Sequence, residues 1–435
     1  MKSSFSASAD YVARLVALML AFVLSLGSVN AHSQVLSGTP ALGSTAQTLV
    51  EYARQRNPGF AAIRAEASAA HERITPAGAL PDPTFEVEMM DATNTVNGRS
   101  ASLLPGQVGE TRYRVTQPLP GWGKRKLAVK AAEAQARQAD AMQGVSWIEL
   151  AAKIETLWLR YYAADRELGL AQQALSLLQG LEDTSLVRYK VGRLPQQAVL
   201  RTQREITAQR VALVEIEQRR KGLAAGLNGL LGRAHDAPLE APAEPSPLPE
   251  KLAIGALFDS VATANPEVNA ATFGIDTARA ERARTYQDRL PDFAVGLRNS
   301  RPYGGRTSWD VMFEVTIPLQ QSSRRAKERE AEQMLIAAEA RREDAQVRAS
   351  GALGTAWSMY EQQRESLRLL ENTLLPQAQA TRDASRAALA SGTVDFDSVI
   401  EADRQLIDIR VQRLKAEVEA RVALAEIKKL TGELK

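Results

Sequence analysis

The stretch Lys124–Lys190 constrains the fold more than any other part of the chain, because it contains no proline. It is rich in alanine, leucine, glutamine, glutamate and arginine, which are all good helix formers. A helix of this length would extend for about 100 Å, far beyond the usual helix of a globular domain. From Trp147 onward its apolar residues are spaced three and four apart, which is typical of coiled-coil packing. The sequence therefore predicts an elongated protein built on long packed helices.

The chain also contains one structural plan twice. Each copy has an Asn-Pro step, a Leu-Pro-Asp motif, a Val-Thr-x-Pro-Leu motif, a basic pair, a Trp and Tyr three residues apart, and a glycine turn. In the first copy these landmarks begin at Asn57, Leu80, Val115, Lys124, Trp158 and Gly192. In the second copy they begin at Asn265, Leu290, Val315, Arg324, Trp357 and Gly392. We interpret this agreement as an internal duplication.

The predicted organisation has four parts. A signal peptide covers residues 1–31, where a short apolar segment precedes the small-residue cleavage site Val29-Asn30-Ala31. The first repeat, residues 32–236, contains a β-hairpin at 84–118, a long helix at 124–190 and a helix at 195–231. A proline-rich linker follows at 237–250. The second repeat, residues 251–435, contains a hairpin at 292–318, a long helix at 322–390 that Pro376 should bend, and a helix at 397–430.

Composition excludes several functions. The formal net charge of +3 is small and evenly mixed, so the sequence predicts no nucleic-acid binding. The absence of cysteine excludes disulfides, zinc–thiolate sites, a cysteine nucleophile and a lipid-modified N-terminal cysteine. The three histidines are scattered along the chain, so we expect neither an enzyme nor a cofactor. Lipid or packing roles fit the strand methionines better than soft-metal ligation does, and no metal site is predicted; these are Met89, Met90 and Met312.

The predicted strands have one apolar and one charged face. Phe85 and Val87 alternate with acids in the first hairpin, and Val311, Phe313 and Val315 alternate with polar residues in the second. No other strands are predicted to cover the apolar face, and a lone hairpin is only marginally stable in water. Apolar-out, polar-in alternation over strands of this length is typical of transmembrane barrels. We therefore expect the hairpins to lie in a membrane.

Four strands cannot close a barrel, because their edges would be unpaired in lipid. Closure must come from several copies of the chain. Two copies would give about eight strands and an interior filled by side chains, whereas three copies would give about twelve strands and an open lumen. The polar inner face favours three copies.

In its repeated plan and its motifs the chain resembles the TolC-type outer membrane factors, and most closely their heavy-metal cation efflux branch. The resemblance covers nearly the whole mature chain. It rests on the duplicated plan, on Leu80-Pro81-Asp82-Pro83, and on the run from Gln117 to Arg125 with its Pro-Gly-Trp-Gly-Lys-Arg sequence. The most specific motifs are Tyr189-Lys190-Val191-Gly192-Arg193 and Leu389-Ala390-Ser391-Gly392-Thr393.

The resemblance implies an α+β membrane protein, a homotrimeric 12-stranded transmembrane β-barrel with four strands per chain. A long α-helical coiled-coil tunnel would continue the barrel into the periplasm from the outer membrane. The implied partners are outer membrane lipid, a periplasmic adaptor and an inner membrane RND-type pump. The adaptor would dock on two tips, formed by Val191, Gly192 and Arg193 and by Ser391, Gly392 and Thr393. Relatives often carry an aspartate six residues after the first tip glycine, where this chain has Ala198.

The predicted function is therefore a passive outer membrane exit duct of a tripartite efflux pump, with heavy-metal cations as the first substrate class. Drugs or other small molecules, or type I secretion, are the alternatives. A soluble periplasmic coiled-coil adaptor is a more distant alternative, because adaptors would carry β-rich modules at both ends of one helical hairpin.

Three acids after the second tip are candidates for a channel gate: Asp395, Asp397 and Glu401. In a trimer each would recur around the axis, and such a ring favours cations over anions. Asp395 or Asp397 could instead simply cap the last helix. Mutual repulsion would oppose closure of the mouth, so a cation such as Arg193 is a candidate partner that holds it shut.

Overall fold

A computed structural model describes residues 42–96 and 98–433, and the predicted signal peptide, residues 1–31, lies outside this part of the chain. The first half contains helices α1 (Ala46–Arg56), α2 (Pro58–Glu72) and α3 (Ile74–Gly78), strands β1 (Thr84–Met90) and β2 (Glu110–Leu119), and helices α4 (Lys124–Lys190) and α5 (Gln196–Leu230). The second half begins with helices α6 (Ile254–Ala264) and α7 (Pro266–Gln287) and strands β3 (Asp292–Pro302) and β4 (Ser308–Thr316). It ends with helix α8 (Gln321–Leu369), a π-helical segment (Leu370–Leu374), and helices α9 (Leu375–Ser391) and α10 (Phe396–Thr431).

The helix α4 is the scaffold of the molecule. It packs along α5, α7 and α10 and also carries α1, α2 and α3. Its aromatic residues Trp158, Tyr161 and Tyr162 are buried in one apolar core. A second core surrounds Leu353 and Tyr360 of α8. Each core includes one face of α10, so the two repeats are joined through the last helix.

The Asn-Pro steps make the same contacts in both repeats. The side-chain oxygen of Asn57 accepts a hydrogen bond from the Phe60 amide (2.7 Å), and its side-chain nitrogen donates to the Leu230 carbonyl (2.7 Å). Asn265 caps α7 through the Val268 amide (3.0 Å) and donates to the Leu430 carbonyl (2.9 Å). Each asparagine thus starts one helix and ties it to the end of another, which supports the duplication.

The four strands form one antiparallel sheet in the order β1-β2-β3-β4. The two predicted hairpins lie side by side because β2 pairs with β3 along ten residues, from Glu110 opposite Pro302 to Leu119 opposite Phe293. Pairing continues the alternation of side chains across the sheet, because residues opposite each other share a face. One face is mainly apolar in all four strands, and Phe85, Val115, Leu297 and Val311 form one row across it.

The apolar face is exposed to its surroundings. Phe313 is 80% exposed, and Phe85 and Trp309 are each 66% exposed. The opposite face carries ion pairs across neighbouring strands: Arg114 with Glu86 (3.0 Å) and Arg298 with Asp310 (3.0 Å). Within the part of the chain that the structure describes, no helix combines the length and hydropathy needed to cross a membrane.

The Pro-Gly-Trp-Gly-Lys-Arg run forms the junction between the sheet and α4. Asp292, at the start of β3, accepts hydrogen bonds from the Gly121 amide (2.7 Å) and from the Lys124 ammonium (2.8 Å). A Cβ atom at position 121 would clash with the Pro291 carbonyl, so only glycine fits there. Arg125 donates from Nε to the Gly78 carbonyl (2.9 Å). This motif therefore holds the first repeat against the second.

The sheet corrects one detail of the sequence alignment. Thr84 lies opposite Thr116 in the first hairpin, and Asp292 lies opposite Thr316 in the second. Since Thr116 and Thr316 are equivalent in the Val-Thr-x-Pro-Leu motif, β1 and β3 differ by 208 in residue number, as positions 84 and 292 do. Asn57 and Asn265 differ by the same number. The alignment of the two Leu-Pro-Asp motifs, which differ by 210, is therefore two residues off, and Phe85 corresponds to Phe293.

The second long helix is not continuous over residues 322–390 but contains the π-helical segment Leu370–Leu374 just before Pro376. Trp158 and Trp357 differ by 199 in residue number, whereas the tip glycines 192 and 392 differ by 200. One extra residue therefore enters the second repeat between Trp357 and Gly392, and the π-helical segment lies in that interval. A π turn is the usual way for a helix to accommodate such an insertion. The helix type therefore changes directly before Pro376, where the sequence predicts a bend.

Candidate functional site

The two tips have the same backbone geometry. Gly192 has φ +69°, and the amides of Gly192 and Arg193 donate to the carbonyls of Tyr189 (2.9 Å) and Arg188 (2.8 Å). Gly392 has φ +75°, and the amides of Gly392 and Thr393 donate to Leu389 (3.2 Å) and Ala388 (2.9 Å). This paired arrangement is the Schellman motif, which requires a left-handed residue after the helix.

The space around the tip glycines is open. A Cβ atom at Gly192 or Gly392 would have no heavy atom within 4 Å. Gly232 and Gly432 end helices in the same way at the opposite end of α5 and α10, but there a Cβ atom would lie 3.0 Å from the Arg56 carbonyl or 2.7 Å from the Ala264 carbonyl. The tip glycines therefore face an accessible surface, while the other two are packed inside the chain.

All six predicted docking residues are exposed, but the two tips differ in chemistry. The first tip presents Val191, which is 63% exposed, beside the exposed side chains of Val187 and Tyr189. In the second tip, the hydroxyls of Ser391 and Thr393 both donate to the Ala388 carbonyl (3.0 and 3.1 Å). The first tip is therefore the more apolar surface, a difference that the matched glycines do not reveal.

The structure gives the three candidate gate acids different surroundings. Asp395 caps α10, because its Oδ1 accepts a hydrogen bond from the Ser398 amide (3.0 Å). The Ser398 hydrogen bonds lower the pKa of Asp395 below its usual value. Glu401 is exposed and accepts a hydrogen bond from Gln405 (3.1 Å) one turn further along α10. The capping interpretation therefore accounts for Asp395, while Glu401 is available to a solute.

Asp397 forms an ion pair with Arg201 of α5. This pair connects the start of α10 to the helix that follows the first tip. Within residues 42–96 and 98–433, the cation that pairs with Asp397 is thus Arg201, and no ion pair involves Arg193. Arg201 lies two residues beyond the buried Val199 and outside the tip motif, so its role could not be read from that motif.

An ion pair with a buried carboxylate lies near the second tip and was not predicted. Asp403 has a side chain that is only 6% exposed, and both of its oxygens accept hydrogen bonds from Nη2 of Arg386 in α9 (3.0 Å each). Asp403 also lines a cavity of 250 Å³ between α4, α5 and α10, together with Glu205, Arg404 and Asp408. The only sequence signal was an acid directly after the apolar residue Ala402 in the last helix.

The residues weighed for metal binding do not come together. Met89 lies on the apolar face of the sheet opposite Thr111, whereas Met90 and Met312 lie on the polar face in the two outer strands. His71 bonds to Asp140 of α4 (2.9 Å). Among the described residues, no group of three or more His, Cys, Asp or Glu side chains could hold a metal ion.

Comparison with known proteins finds a matching family and solved structures with a similar fold. Residues 49–233 and 257–433 match the family described as outer membrane efflux protein. No curated protein sequence matches the chain. A membrane protein from Pseudomonas aeruginosa has a similar fold, with a TM-score of 0.76 and 18% identity over 90% of this chain and 91% of that one.

Two further solved structures share the fold. The outer membrane protein VceC from Vibrio cholerae has a TM-score of 0.74 and 16% identity, over 89% of this chain and 96% of its own. CusC, whose structures were described in terms of folding and transmembrane channel formation, has a TM-score of 0.73 and 16% identity, over 91% of this chain and 95% of its own. At such identities the likeness concerns the fold.

Proposed function

Since this chain belongs to the outer membrane efflux protein family, we propose that three copies of it form the exit duct of a tripartite efflux pump. The duct lies in the outer membrane, and its helical part extends through the periplasm. It passively conducts solutes that an inner membrane RND-type transporter and a periplasmic adaptor deliver. No step of this function requires the chain to hold a solute tightly.

The observation that carries the proposal is the two-faced sheet. Its apolar face exposes Phe85, Trp309 and Phe313, and its other face carries the Arg114–Glu86 and Arg298–Asp310 ion pairs. Lipid against the first face and water against the second would satisfy both. A soluble adaptor, the distant alternative, would leave this apolar face in water, which makes it the poorer explanation.

We propose heavy-metal cations as the substrate class, with drugs and other small molecules, or type I secretion, as alternatives. Glu401 supports the proposal because it is exposed and places negative charge near the second tip, beside Asp397, whose charge is paired with Arg201. The motifs that resemble the heavy-metal branch have a structural role rather than a role in substrate choice, because Gly121 and Lys124 donate hydrogen bonds to Asp292 at the sheet. The substrate proposal therefore depends on the acids near the tip.

Topology provides a direct test, because the chain has no cysteine of its own. Val96 is 86% exposed in the loop between β1 and β2, and Val191 is exposed at the first tip. We expect an impermeant maleimide to label Val96→Cys on intact cells, and Val191→Cys only after the outer membrane is permeabilised. Labelling of Val191→Cys but not Val96→Cys on intact cells would reverse the proposed orientation.

The acidic gate predicts a change in ion selectivity. We expect Asp397→Asn/Glu401→Gln to lose most of its preference for cations and its block by multivalent cations in planar bilayers, because the acidic ring loses its charge. Asp395→Asn is the matched control, since asparagine caps a helix as well as aspartate does. A double variant with wild-type selectivity and block would leave these acids with structural roles only.

A further inference from the structure

The sheet and the helices around it end at the same two sides of the chain. Strand order is β1-β2-β3-β4, so among the residues that the structure describes β1 pairs only with β2 and β4 only with β3. The neighbouring helices follow the same order, since α2 and α3 pack on α4, α4 packs on α7, and α7 packs on α8. One side of the molecule is therefore β1 with α2 and α3, and the other is β4 with α8.

The chain contains an internal template for how these two sides could meet. Where β2 of the first repeat meets β3 of the second, Thr116 lies opposite Gly296 and Leu119 lies opposite Phe293. By the duplication, β4 is equivalent to β2, with residue numbers that differ by 200. β1 is equivalent to β3, with residue numbers that differ by 208, because Thr84 lies opposite Thr116 and Asp292 lies opposite Thr316.

We infer that β4 of one copy pairs with β1 of the next in a single register, with Thr316 opposite Glu88 and Leu319 opposite Phe85. This inference rests on the proposed function, because it describes how copies of the chain close the duct. The partner is a second copy of this chain. Its β1 pairs with β4 in the way that β3 pairs with β2 within one copy.

The ends of the strands support this register independently. β2 reaches Leu119 because residues 117–119 pair with β3, while its pairing with β1 stops at Thr116. β4 stops at Thr316, and the equivalent residues 317–319 lie outside the strand in a single copy. In the inferred register these three residues gain Phe85, Glu86 and Val87 of the next copy as partners, so β4 would extend as far as β2 does.

The exposed side chains at the two edges agree with this pairing. Leu319 and Ile317 are 81% and 66% exposed at one edge, and Phe85 and Val87 are exposed at the other. The register brings Leu319 beside Phe85 and Ile317 beside Val87, so apolar side chains meet across the join. On the opposite face, Thr316 meets Glu88.

Cross-strand disulfides can test the register. In the template, a Cβ atom at Gly296 would lie 3.3 Å from Oγ1 of Thr116, so residues opposite each other are close enough for a disulfide. We expect Thr316→Cys/Glu88→Cys to give covalent trimers after mild oxidation, resolved as a trimer band on a non-reducing denaturing gel. Thr116→Cys/Gly296→Cys is the matched control and should form a bond only within one copy, leaving monomers.

A shifted pair separates the inferred register from the one that the Leu-Pro-Asp alignment gives. That alignment places Thr316 opposite Glu86. In the inferred register Glu86 is instead a diagonal neighbour of Thr316, about 7–8 Å away, which is too far for an efficient disulfide. A higher trimer yield from Thr316→Cys/Glu86→Cys than from the Glu88 pair, or monomers from both pairs, overturns the register. The protein without introduced cysteines separates the failure of the register from the failure of the proposed function. If it still conducts as a trimer, only the register fails, whereas a monomeric, non-conducting protein rejects the duct itself.

Discussion

Replacement of Phe313 by arginine is expected to keep most of the protein from assembling in the outer membrane. Phe313 lies in the middle of β4 on the apolar face and is 80% exposed in a single chain. An arginine on the lipid face of a transmembrane barrel costs about 2–4 kcal/mol near the bilayer midplane. Each copy in a trimer would carry this cost. The measurement is the amount of heat-modifiable trimer that detergent extracts from outer membrane fractions.

The neighbouring residue provides the control. Met312 lies on the opposite face of the same strand, opposite Gly296, so Met312→Arg introduces the same charge toward the lumen. We expect this variant to assemble at nearly the wild-type level. Equal assembly of Phe313→Arg and Met312→Arg would contradict the assignment of the apolar face to lipid.

Valine at either tip glycine is expected to abolish efflux while the trimer still assembles. Gly192 and Gly392 have φ of +69° and +75°, a conformation that costs a residue with a Cβ atom about 1–2 kcal/mol. This cost is local and small compared with the packing of the long helices. The new side chain would also occupy the open surface where the adaptor is proposed to approach. Efflux-dependent resistance and trimer content are measured on the same cells.

Gly180 provides the matched control for the tips. It lies within α4, and a Cβ atom there would also meet no heavy atom within 4 Å. Gly180→Val therefore adds the same side chain without a change at the turn, and it should retain efflux. Unimpaired efflux in both tip variants would reject the docking role of the glycines.

Much of the fold could be predicted because its signals are local. The helix α4 lies within the proline-free run between Pro120 and Pro195, since proline is the strongest single break in a helix. The two faces of the strands follow from alternation, and the Asn-Pro steps mark where α2 and α7 begin. The duplication was visible because it repeats residues that are needed for turns and caps, such as Gly192 and Gly392.

The remaining features depend on contacts between distant parts of the chain. The pairing of β2 with β3 joins residues more than 170 positions apart, and no local pattern fixes its register. The Lys124–Asp292 contact also joins distant parts of the chain, so the Leu-Pro-Asp motif was aligned by its letters rather than by its place in the sheet. The π-helical segment lies in the interval that contains a single extra residue, and such an insertion changes no residue type that a sequence pattern would reveal.

The candidate gate shows the same limit. The tip motif located the turns and the acids, but the partners of those acids lie on other helices. Arg201 of α5 pairs with Asp397, and Arg386 of α9 pairs with Asp403. Long cationic side chains can reach a carboxylate from any neighbouring helix. The sequence therefore identified which residues carry charge but not which of them form ion pairs.

The central claim is that copies of this chain form a channel, and single-channel recording tests it most directly. Protein purified in detergent as a trimer is added to a planar bilayer, and the current is recorded at fixed voltage with equal salt on both sides. The proposed duct predicts uniform conductance steps, one for each inserted trimer, that are cation-selective when a salt gradient is then imposed. A trimer that inserts into the bilayer without producing any conductance steps would contradict the claim.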